Sequence, residues 1–351
     1  MRVRKSGTYY YYDCGGKPRR EIPLGSDFVI AVQRWAELEL LNKKDLANGQ
    51  ITFKFSAERY IKEILPGKAP RTQSDNIKEF KYLLEFFGDA PLDEIKPLHI
   101  RQYMDWRHQM VLDRVIEDNK ERKAQGRDLI KITGKEGHVR ANREISLFSH
   151  VFNVAREWGY TDVTNPALGV RRNKETGRQD VYIHDDMYRA VYDHAGEVLR
   201  DYMDFMYLSG QRNADSLKAD ERHIIDGAYE FRQQKTGKPL RISLTGEFGS
   251  LIERMLQRKA ALNSTTTRLI VDENGQAATR QQIRKRFDAA REAAGIKKTE
   301  FQLMDLRGKA ATDKEEKTDL ATASAQLGHD DTNTTKRYVR HRRGKLVEPT
   351  K

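Results

Sequence analysis

A polar, basic stretch near the middle of the chain constrains its fold more than any other feature. Residues 171–180 read RRNKETGRQD and contain no large apolar side chain. Such a composition is typical of a linker between domains. Residues 50–170 before it carry apolar side chains at helical spacing, whereas residues 181–351 after it mix helical stripes with short strand-like runs. The sequence therefore predicts a multidomain protein, mainly α with small β-sheets, and its length of 351 residues agrees with two or three domains.

The segment 50–170 is predicted to be a helical domain. Capping and turn residues place one helix between Ser74-Asp75 and Gly88 and a second from Pro97 onward, with a polar loop over residues 117–137. A third helix carries an apolar stripe that we expect to be core, made of Ala141, Ile145, Phe148, Phe152 and Ala155. In the last segment, short strands are expected near residues 223–225, 228–233 and 240–244.

The first 48 residues are a third candidate module. Residues 8–12 and 17–22 are expected to be strands joined by a turn, followed by a helix that Ser26-Asp27 caps. Basic residues accompany these elements: Arg2, Arg4, Lys5, Lys17, Arg19 and Arg20. Two interpretations stay open, since this module either enters a DNA groove or presents a solvated charge cluster.

The charge balance indicates a polyanionic partner. The chain has 64 Lys and Arg against 52 Asp and Glu, a formal net charge of +12, and such a surplus most often indicates nucleic acid. Further side chains expected to contact DNA, unless they are only solvated, are Arg140, Arg143, Arg156, Arg171, Arg172, Lys174 and Arg178. No apolar run is long enough for a membrane span, and the basic start has no apolar region, so a secretory signal is not expected. The single cysteine, Cys14, excludes an intramolecular disulfide and fits the cytoplasm.

Several kinds of catalytic site are excluded by the absence of their motifs. The sequence has no phosphate-binding P-loop, no H-E-x-x-H and no G-x-S-x-G, and its nine histidines are scattered. Neither a cofactor nor a metal site is therefore expected. The chemistry must come from single residues that the fold brings together.

Four patches in the last third of the chain carry residues suited to such chemistry. They are residues 208–215 with Arg212, residues 235–238 with Lys235, residues 303–307 with Arg307, and residues 327–329 with His329, followed nine positions later by Tyr338. In this order and spacing they resemble the tyrosine recombinase, or phage-type integrase, family. The resemblance covers about residues 175–345. The segment 50–170 is similar to the family's core-site-binding domain, and residues 1–48, more loosely, to its arm-site-binding module.

The resemblance implies a role for each of these residues. Tyr338 would attack phosphorus, Lys235 would protonate the leaving 5′-oxygen, and His329 would hydrogen-bond the phosphate or move protons. Arg212 and Arg307 would hold the nonbridging oxygens, since paired guanidiniums bind an anionic phosphodiester in fixed, bidentate geometry. Neither metal nor ATP is then needed.

Three positions near these residues leave questions open. Asp215 either orients Arg212 or forms an ordinary helical i,i+3 ion pair with it. Met304 stands where the family has a histidine, and a thioether cannot act as a general acid or base. Gly308 also stands where a histidine is frequent. Proton transfer then falls to His329 or water, or the chain is a slow or non-cleaving relative.

The expected function is site-specific recombination that integrates or excises a mobile element such as a prophage. The expected partners are double-stranded DNA with core and arm attachment sites, further copies of the chain in a tetramer on synapsed DNA, and a DNA-bending host factor or directionality factor. The expected location is the bacterial host cytoplasm, at the nucleoid. Two alternatives stay open: a nicking-closing enzyme of the type IB topoisomerase kind, and a non-catalytic architectural DNA-binding protein.

Overall fold

The protein divides into two compact units, residues 1–175 and residues 176–351. The computed structural model describes residues 2–4, 7–13, 21–41, 46–47, 50–175, 177–340 and 349–350. The boundary between the units falls inside the basic stretch 171–180. Across the described residues, no helix combines the length and the apolar character that a bilayer crossing requires. Four basic candidates and the cysteine lie outside the described residues: Lys5, Lys17, Arg19, Arg20 and Cys14.

The first unit combines small antiparallel sheets with helices. Its strands are β1 (Arg2–Arg4), β2 (Gly7–Asp13), β3 (Glu21–Gly25), β4 (Leu46–Ala47) and β5 (Gln50–Ile51). Its helices are α1 (Phe28–Leu41), α2 (Phe53–Glu63), α3 (Pro70–Phe87), α4 (Pro97–Ala124) and α5 (His138–Glu157). Strands β1, β2 and β3 form one sheet in chain order, and Tyr12, Leu24 and Ala31 pack it against α1. The predicted cap of α1 is confirmed, because Asp27 Oδ1 accepts a hydrogen bond from the Ile30 N–H at 2.9 Å.

The apolar stripe predicted for the third helix of this unit is confirmed as core. All five of its side chains on α5 are fully buried, among aromatic residues of α2, α3 and α4. Helix α1 belongs to the same core, because Ala36 is fully buried in it. Apolar periodicity thus located the buried face of α5 from the sequence alone.

Two predicted helix boundaries in this unit are wrong. Helix α3 begins at Pro70 rather than at Ser74, because the fixed φ of proline suits the first helical turn. Helix α4 continues to Ala124, so the predicted loop 117–137 is helical over its first turns. Good helix formers occupy residues 120–124, and Glu117 pairs with Lys120 at 2.8 Å.

The second unit is mixed α/β. Its helices are α6 (Asp185–Asp193), α7 (Glu197–Ser209), α8 (Asn213–Leu217), α9 (Gly246–Ala261), α10 (Arg280–Ala293), α11 (Asp305–Lys317), α12 (Leu320–Leu327) and α13 (Thr332–Lys336). The three predicted strands are confirmed as β6 (Ile224–Ile225), β7 (Ala228–Arg232) and β8 (Pro239–Ser243), an antiparallel sheet in chain order. The turn between β6 and β7 has positive φ at Asp226 and Gly227, as a tight hairpin requires.

The core of this unit surrounds α7. Leu199, Tyr202, Met203 and Met206 are fully buried on that helix, and Leu306 of α11 joins the same cluster. Helix α11 also packs on α12. This packing sets the carboxyl ends of α7 and α12 beside the first turn of α11, where the candidate residues gather.

Candidate active site

Arg307, in the first turn of α11, is the centre of the site. The residue is only 3% exposed. Its Nη1 donates to the Gly210 carbonyl at 2.7 Å, and its Nη2 donates to the Leu327 carbonyl at 2.9 Å. Gly210 ends α7 in a left-handed conformation with φ of +66°, which favours glycine. One guanidinium therefore bonds the ends of two helices and fixes their arrangement.

His329 is bonded to the same guanidinium. Arg307 Nη2 lies 3.0 Å from His329 Nε2, and because arginine can only donate, this contact makes Nε2 the acceptor. The protonated Nδ1 then donates to Thr335 Oγ1 at 2.8 Å. Burial, followed by the charges of Arg307, Arg212 and Lys238, lowers the pKa of His329 to about 4. The imidazole is therefore neutral at pH 7.

Tyr338 lies directly over these two side chains. It follows α13, and its backbone N–H donates to the Thr335 carbonyl at 2.8 Å. Its ring centroid is 5.2 Å from that of His329 and 5.2 Å from the guanidinium carbon of Arg307. Three of the residues predicted to be catalytic are thus in mutual contact.

Arg212 joins the site through a glutamine. Its Nη1 donates to Gln233 Oε1 at 2.9 Å. Gln233 is fully buried, and its Nε2 donates to Gln211 Oε1 and to the Leu327 carbonyl, both at 2.8 Å. Sequence reasoning missed Gln233, for which the one signal was its place two residues before Lys235. Gln233 links Arg212 to the carboxyl end of α12, which Arg307 also bonds.

The two guanidiniums give the site a concentrated positive charge. Burial, followed by the charge of Arg212, lowers the pKa of Arg307 to about 10. Within the described ranges 50–175 and 177–340, neither Arg212 nor Arg307 forms an ion pair. Neighbouring guanidiniums without a carboxylate in contact are a suitable site for an anion.

The Lys235 side chain does not contact the other residues predicted to be catalytic. It is exposed on the turn between β7 and β8, and no hydrogen bond or ion pair of its ammonium is found within the described parts of the chain. The neighbouring Thr236 Oγ1 donates to Gln233 Oε1 at 3.0 Å, which attaches the turn to the site. Lys238 instead pairs with Asp330, next to His329, at 2.5 Å.

The expected contact between Asp215 and Arg212 is replaced by another. Asp215 Oδ1 accepts a hydrogen bond from the Gln234 N–H at 3.0 Å. Arg212 precedes α8 as its N-cap residue, with an extended backbone, so the i,i+3 geometry of a helix does not apply to the pair. Asp215 therefore fixes the hairpin that carries Lys235.

Met304 and Gly308 flank Arg307 but have different environments. Met304 precedes α11 and is 60% exposed. Gly308 is buried on α11, and the guanidinium of Arg340 lies where a larger side chain would extend. Neither position offers an imidazole or another proton carrier.

The candidate DNA-contacting residues differ in their freedom to bind phosphate. The exposed members are Arg140, Arg143, Arg156, Arg171 and Lys174. Arg172 is partly buried, and burial lowers its pKa. Arg178, expected to contact DNA, instead forms a bidentate ion pair with the buried Asp305, with Nε at 2.9 and 3.1 Å from the two carboxylate oxygens. The charge of Arg178 is thus paired with a carboxylate of the second unit. Arg2 and Arg4 lie in β1.

Residues 182–344 match the sequence profile of the phage integrase family, and this range contains all five residues predicted to be catalytic. The chain contains a phage integrase family domain. The recognition made from the four sequence patches is therefore confirmed. The protein is a site-specific DNA recombinase of the tyrosine class.

The chain is also similar to known proteins in sequence and in fold. An integrase of Escherichia phage HK022 is 28% identical to the chain over 316 residues, which are 84% of this chain and 79% of the relative. The fold is similar to a lambda integrase dimer bound to a COC′ core site, with a TM-score of 0.65 and 20% identity over 100% of this chain and 97% of the other. It is also similar to the Tn1549 transposon integrase in complex with circular intermediate DNA, with a TM-score of 0.60 and 12% identity over 83% and 95%. The predicted fold class is confirmed.

Proposed function

We propose that this integrase moves a mobile element, such as a prophage, into or out of a chromosome through a 3′-phosphotyrosyl intermediate on Tyr338, without metal or ATP. One observation carries the proposal: the Tyr338 ring lies against both the Arg307 guanidinium and the neutral His329 imidazole. A phenol, a cation and a proton acceptor in contact are the groups that attack on a phosphodiester requires.

The scissile phosphate binds to Arg212 and Arg307. Both are held in place before DNA arrives, Arg212 by Gln233 and Arg307 by the ends of α7 and α12. Donors fixed in advance stabilise the charge that grows on phosphorus without further reorganisation. The bound anion also relieves the repulsion between the two guanidiniums.

In the chemical step, the Tyr338 oxygen forms a bond to phosphorus and the bond from phosphorus to the 5′-oxygen breaks. The 5′-oxygen leaves as a hydroxyl with a proton from Lys235, whose exposed turn leaves the ammonium free to reach it. A 5′-hydroxyl of another strand then attacks phosphorus and releases the tyrosine. Because the bond energy is retained in the phosphotyrosyl ester, the cycle needs no nucleotide cofactor.

His329 accepts the proton of Tyr338. The guanidiniums lower its pKa in the free protein, and the negative charge of a bound phosphate opposes that effect, so the imidazole becomes a better base when DNA is bound. Its Nε2 becomes available when the bound phosphate draws one Nη2 proton of Arg307 away from the histidine, while the bonds to Gly210 and Leu327 keep the guanidinium in place. This role compensates for Met304, which cannot carry a proton.

A nicked suicide substrate carrying the attachment core site tests the proposal. We expect the unaltered chain to form a covalent adduct with this DNA, equally well in EDTA, and Tyr338→Phe to bind the DNA without forming one. Tyr192→Phe is the matched control, because its hydroxyl bonds Asp204 outside the site, and it should keep the adduct. An adduct formed by Tyr338→Phe would reject the nucleophile assignment.

The partners in this proposal are double-stranded DNA, at core and arm attachment sites, and further copies of the chain. Structures similar to this one include a lambda integrase tetramer bound to a Holliday junction, with a TM-score of 0.66, which supports a tetramer on synapsed DNA. A DNA-bending host factor or directionality factor would act with it at the nucleoid in the host cytoplasm. Relaxation of supercoiled plasmid lacking attachment sites, without recombination of paired sites, would instead indicate the nicking-closing alternative.

A further inference from the structure

Arg340 attaches the backbone that follows Tyr338 to the body of the second unit. Its Nη1 donates to the Val181 carbonyl at 2.8 Å, and its Nε donates to the Tyr338 carbonyl at 3.3 Å. Its own backbone N–H donates to Thr312 Oγ1 at 3.0 Å. Tyr338 is therefore held by α13 before it and by Arg340 after it.

Gly308 provides the space for this side chain. A Cβ at Gly308 would lie 3.1 to 3.2 Å from three atoms of the Arg340 guanidinium, closer than most real Cβ contacts. Glycine is a poorer helix former than alanine, yet Gly308 is buried inside α11. Contact with the flat guanidinium of Arg340 explains why a glycine occupies this position of the helix.

Helix α11 thus holds the tyrosine segment at two adjacent places. Arg307 lies under the Tyr338 ring, while Gly308 and Thr312 contact Arg340. Thr312 Oγ1 in turn donates to the Gly308 carbonyl at 2.8 Å, within the helix. The distance between the phenol and Arg307 is therefore set through one rigid element.

The bonds of Arg340 go to the chain rather than to the reacting groups. Its side chain donates to two backbone carbonyls, and the nearby carboxylate of Asp305 is already held by Arg178. Burial also lowers the pKa of Arg340, with Asp305 opposing and Arg178 reinforcing that effect. These contacts suit a residue that places the backbone.

We propose that Arg340 is a positioning residue for Tyr338: seated on Gly308, it fixes the backbone so that the phenol faces Arg307. The inference rests on the proposed function, in which Tyr338 is the nucleophile. A misplacement of about 1 Å at a reacting group can cost about 100-fold in rate. The loss of Arg340 should therefore slow cleavage while leaving phosphate binding unchanged.

The first test compares Arg340→Ala with Arg337→Ala in single-turnover cleavage of the suicide substrate. Both variants remove one positive charge within two residues of Tyr338 in the sequence, but Arg337 is exposed whereas Arg340 is partly buried. We expect Arg340→Ala to form the adduct about 10- to 100-fold more slowly, and Arg337→Ala to stay within about threefold of the unaltered chain. Equal rates for the two variants would overturn the proposal.

The second test separates positioning of the phenol from binding of the phosphate. In a Tyr338→Phe background, hydroperoxide can attack phosphorus in place of the phenolate and again displace the 5′-oxygen. Adding Arg340→Ala should not change this peroxide-supported cleavage, because no tyrosine remains to be positioned. If Arg340→Ala slowed peroxide-supported cleavage as much as it slows cleavage by Tyr338, the proposal would be overturned, since the guanidinium would then act on the phosphate itself.

Gly308→Ala provides a variant that keeps the arginine and favours the helix. Its new Cβ displaces the guanidinium by a few tenths of an ångström, so we expect a smaller loss of cleavage rate, about three- to tenfold. In the Arg340→Ala background the same change should have no further effect, because the two residues act as one unit. If the rate losses of the two single variants added up in the double variant, Gly308 would not act through Arg340, and this part of the proposal would be wrong. An unaltered chain that forms no adduct would reject the proposed function itself, and this inference with it.

Discussion

Replacement of Arg307 by lysine tests the centre of the site while retaining its charge. The guanidinium now bonds the carbonyls of Gly210 and Leu327 and the imidazole of His329 through two nitrogens. A single ammonium cannot span these acceptors, so at least one buried carbonyl loses its partner, at about 1–3 kcal/mol. In a domain of this size that lowers Tm by about 2–12 °C.

The catalytic loss should be larger than the loss of stability. A lysine cannot hold a nonbridging oxygen in the bidentate geometry of a guanidinium, and one fixed donor of this kind contributes about 3–4 kcal/mol to the transition state. We therefore expect Arg307→Lys to slow single-turnover cleavage by about 10²–10³-fold, after correction for the folded fraction.

Arg258→Lys is the matched control for this experiment. Arg258 lies on α9, has a side chain only 13% exposed, and pairs with Asp201 at 3.2 Å. It should lose stability without losing the cleavage rate of the folded protein. A rate for Arg307→Lys within threefold of the unaltered chain, or an equal slowing by Arg258→Lys, would refute the reasoning.

Four further expectations follow from the same structure. Met304→Ala should change cleavage little, since the side chain is 60% exposed and carries no proton, and Met304→His should be neutral or faster; a loss as large as that of Arg307→Ala would contradict this. The pKa of His329 is lowered in the folded state to about 4, so its contribution to stability is complete above about pH 6.5 and is lost as the pH falls toward 4. Urea unfolding at pH 4.5 and 7 should show a smaller pH effect for His329→Gln, and an unchanged pH effect would count against this. DNA affinity should fall by about 10³–10⁵ between 50 and 200 mM salt if about 6–10 phosphates are contacted, and a flat response in a gel-shift titration would count against phosphate-dominated binding. Removal of residues 1–25, which spares the buried Ala36 of α1, should leave core-site binding measurable but reduce recombination, and the reverse pattern would exclude an arm-site role.

The sequence alone determined the features that depend on local pattern. Apolar periodicity located the buried face of α5, turn residues located β6, β7 and β8, and the polar stretch 171–180 contains the boundary between the two units. The order of Arg212, Lys235, Arg307, His329 and Tyr338 was enough to recognise the family. Local propensity was less reliable at helix ends, because the polar, exposed extension of α4 has the composition of a loop.

The tertiary structure decided which of these side chains meet and which partners hold them. Arg307 bonds a carbonyl 97 residues away, and Arg340 bonds one 159 residues away, so neither contact could be read from spacing. Gln233 links Arg212 to the site, and Asp215 bonds the hairpin instead of Arg212. Arg178 forms an ion pair with Asp305. Periodicity specifies the elements and their buried faces, whereas hydrogen-bond partners depend on how helix ends from distant segments are packed together.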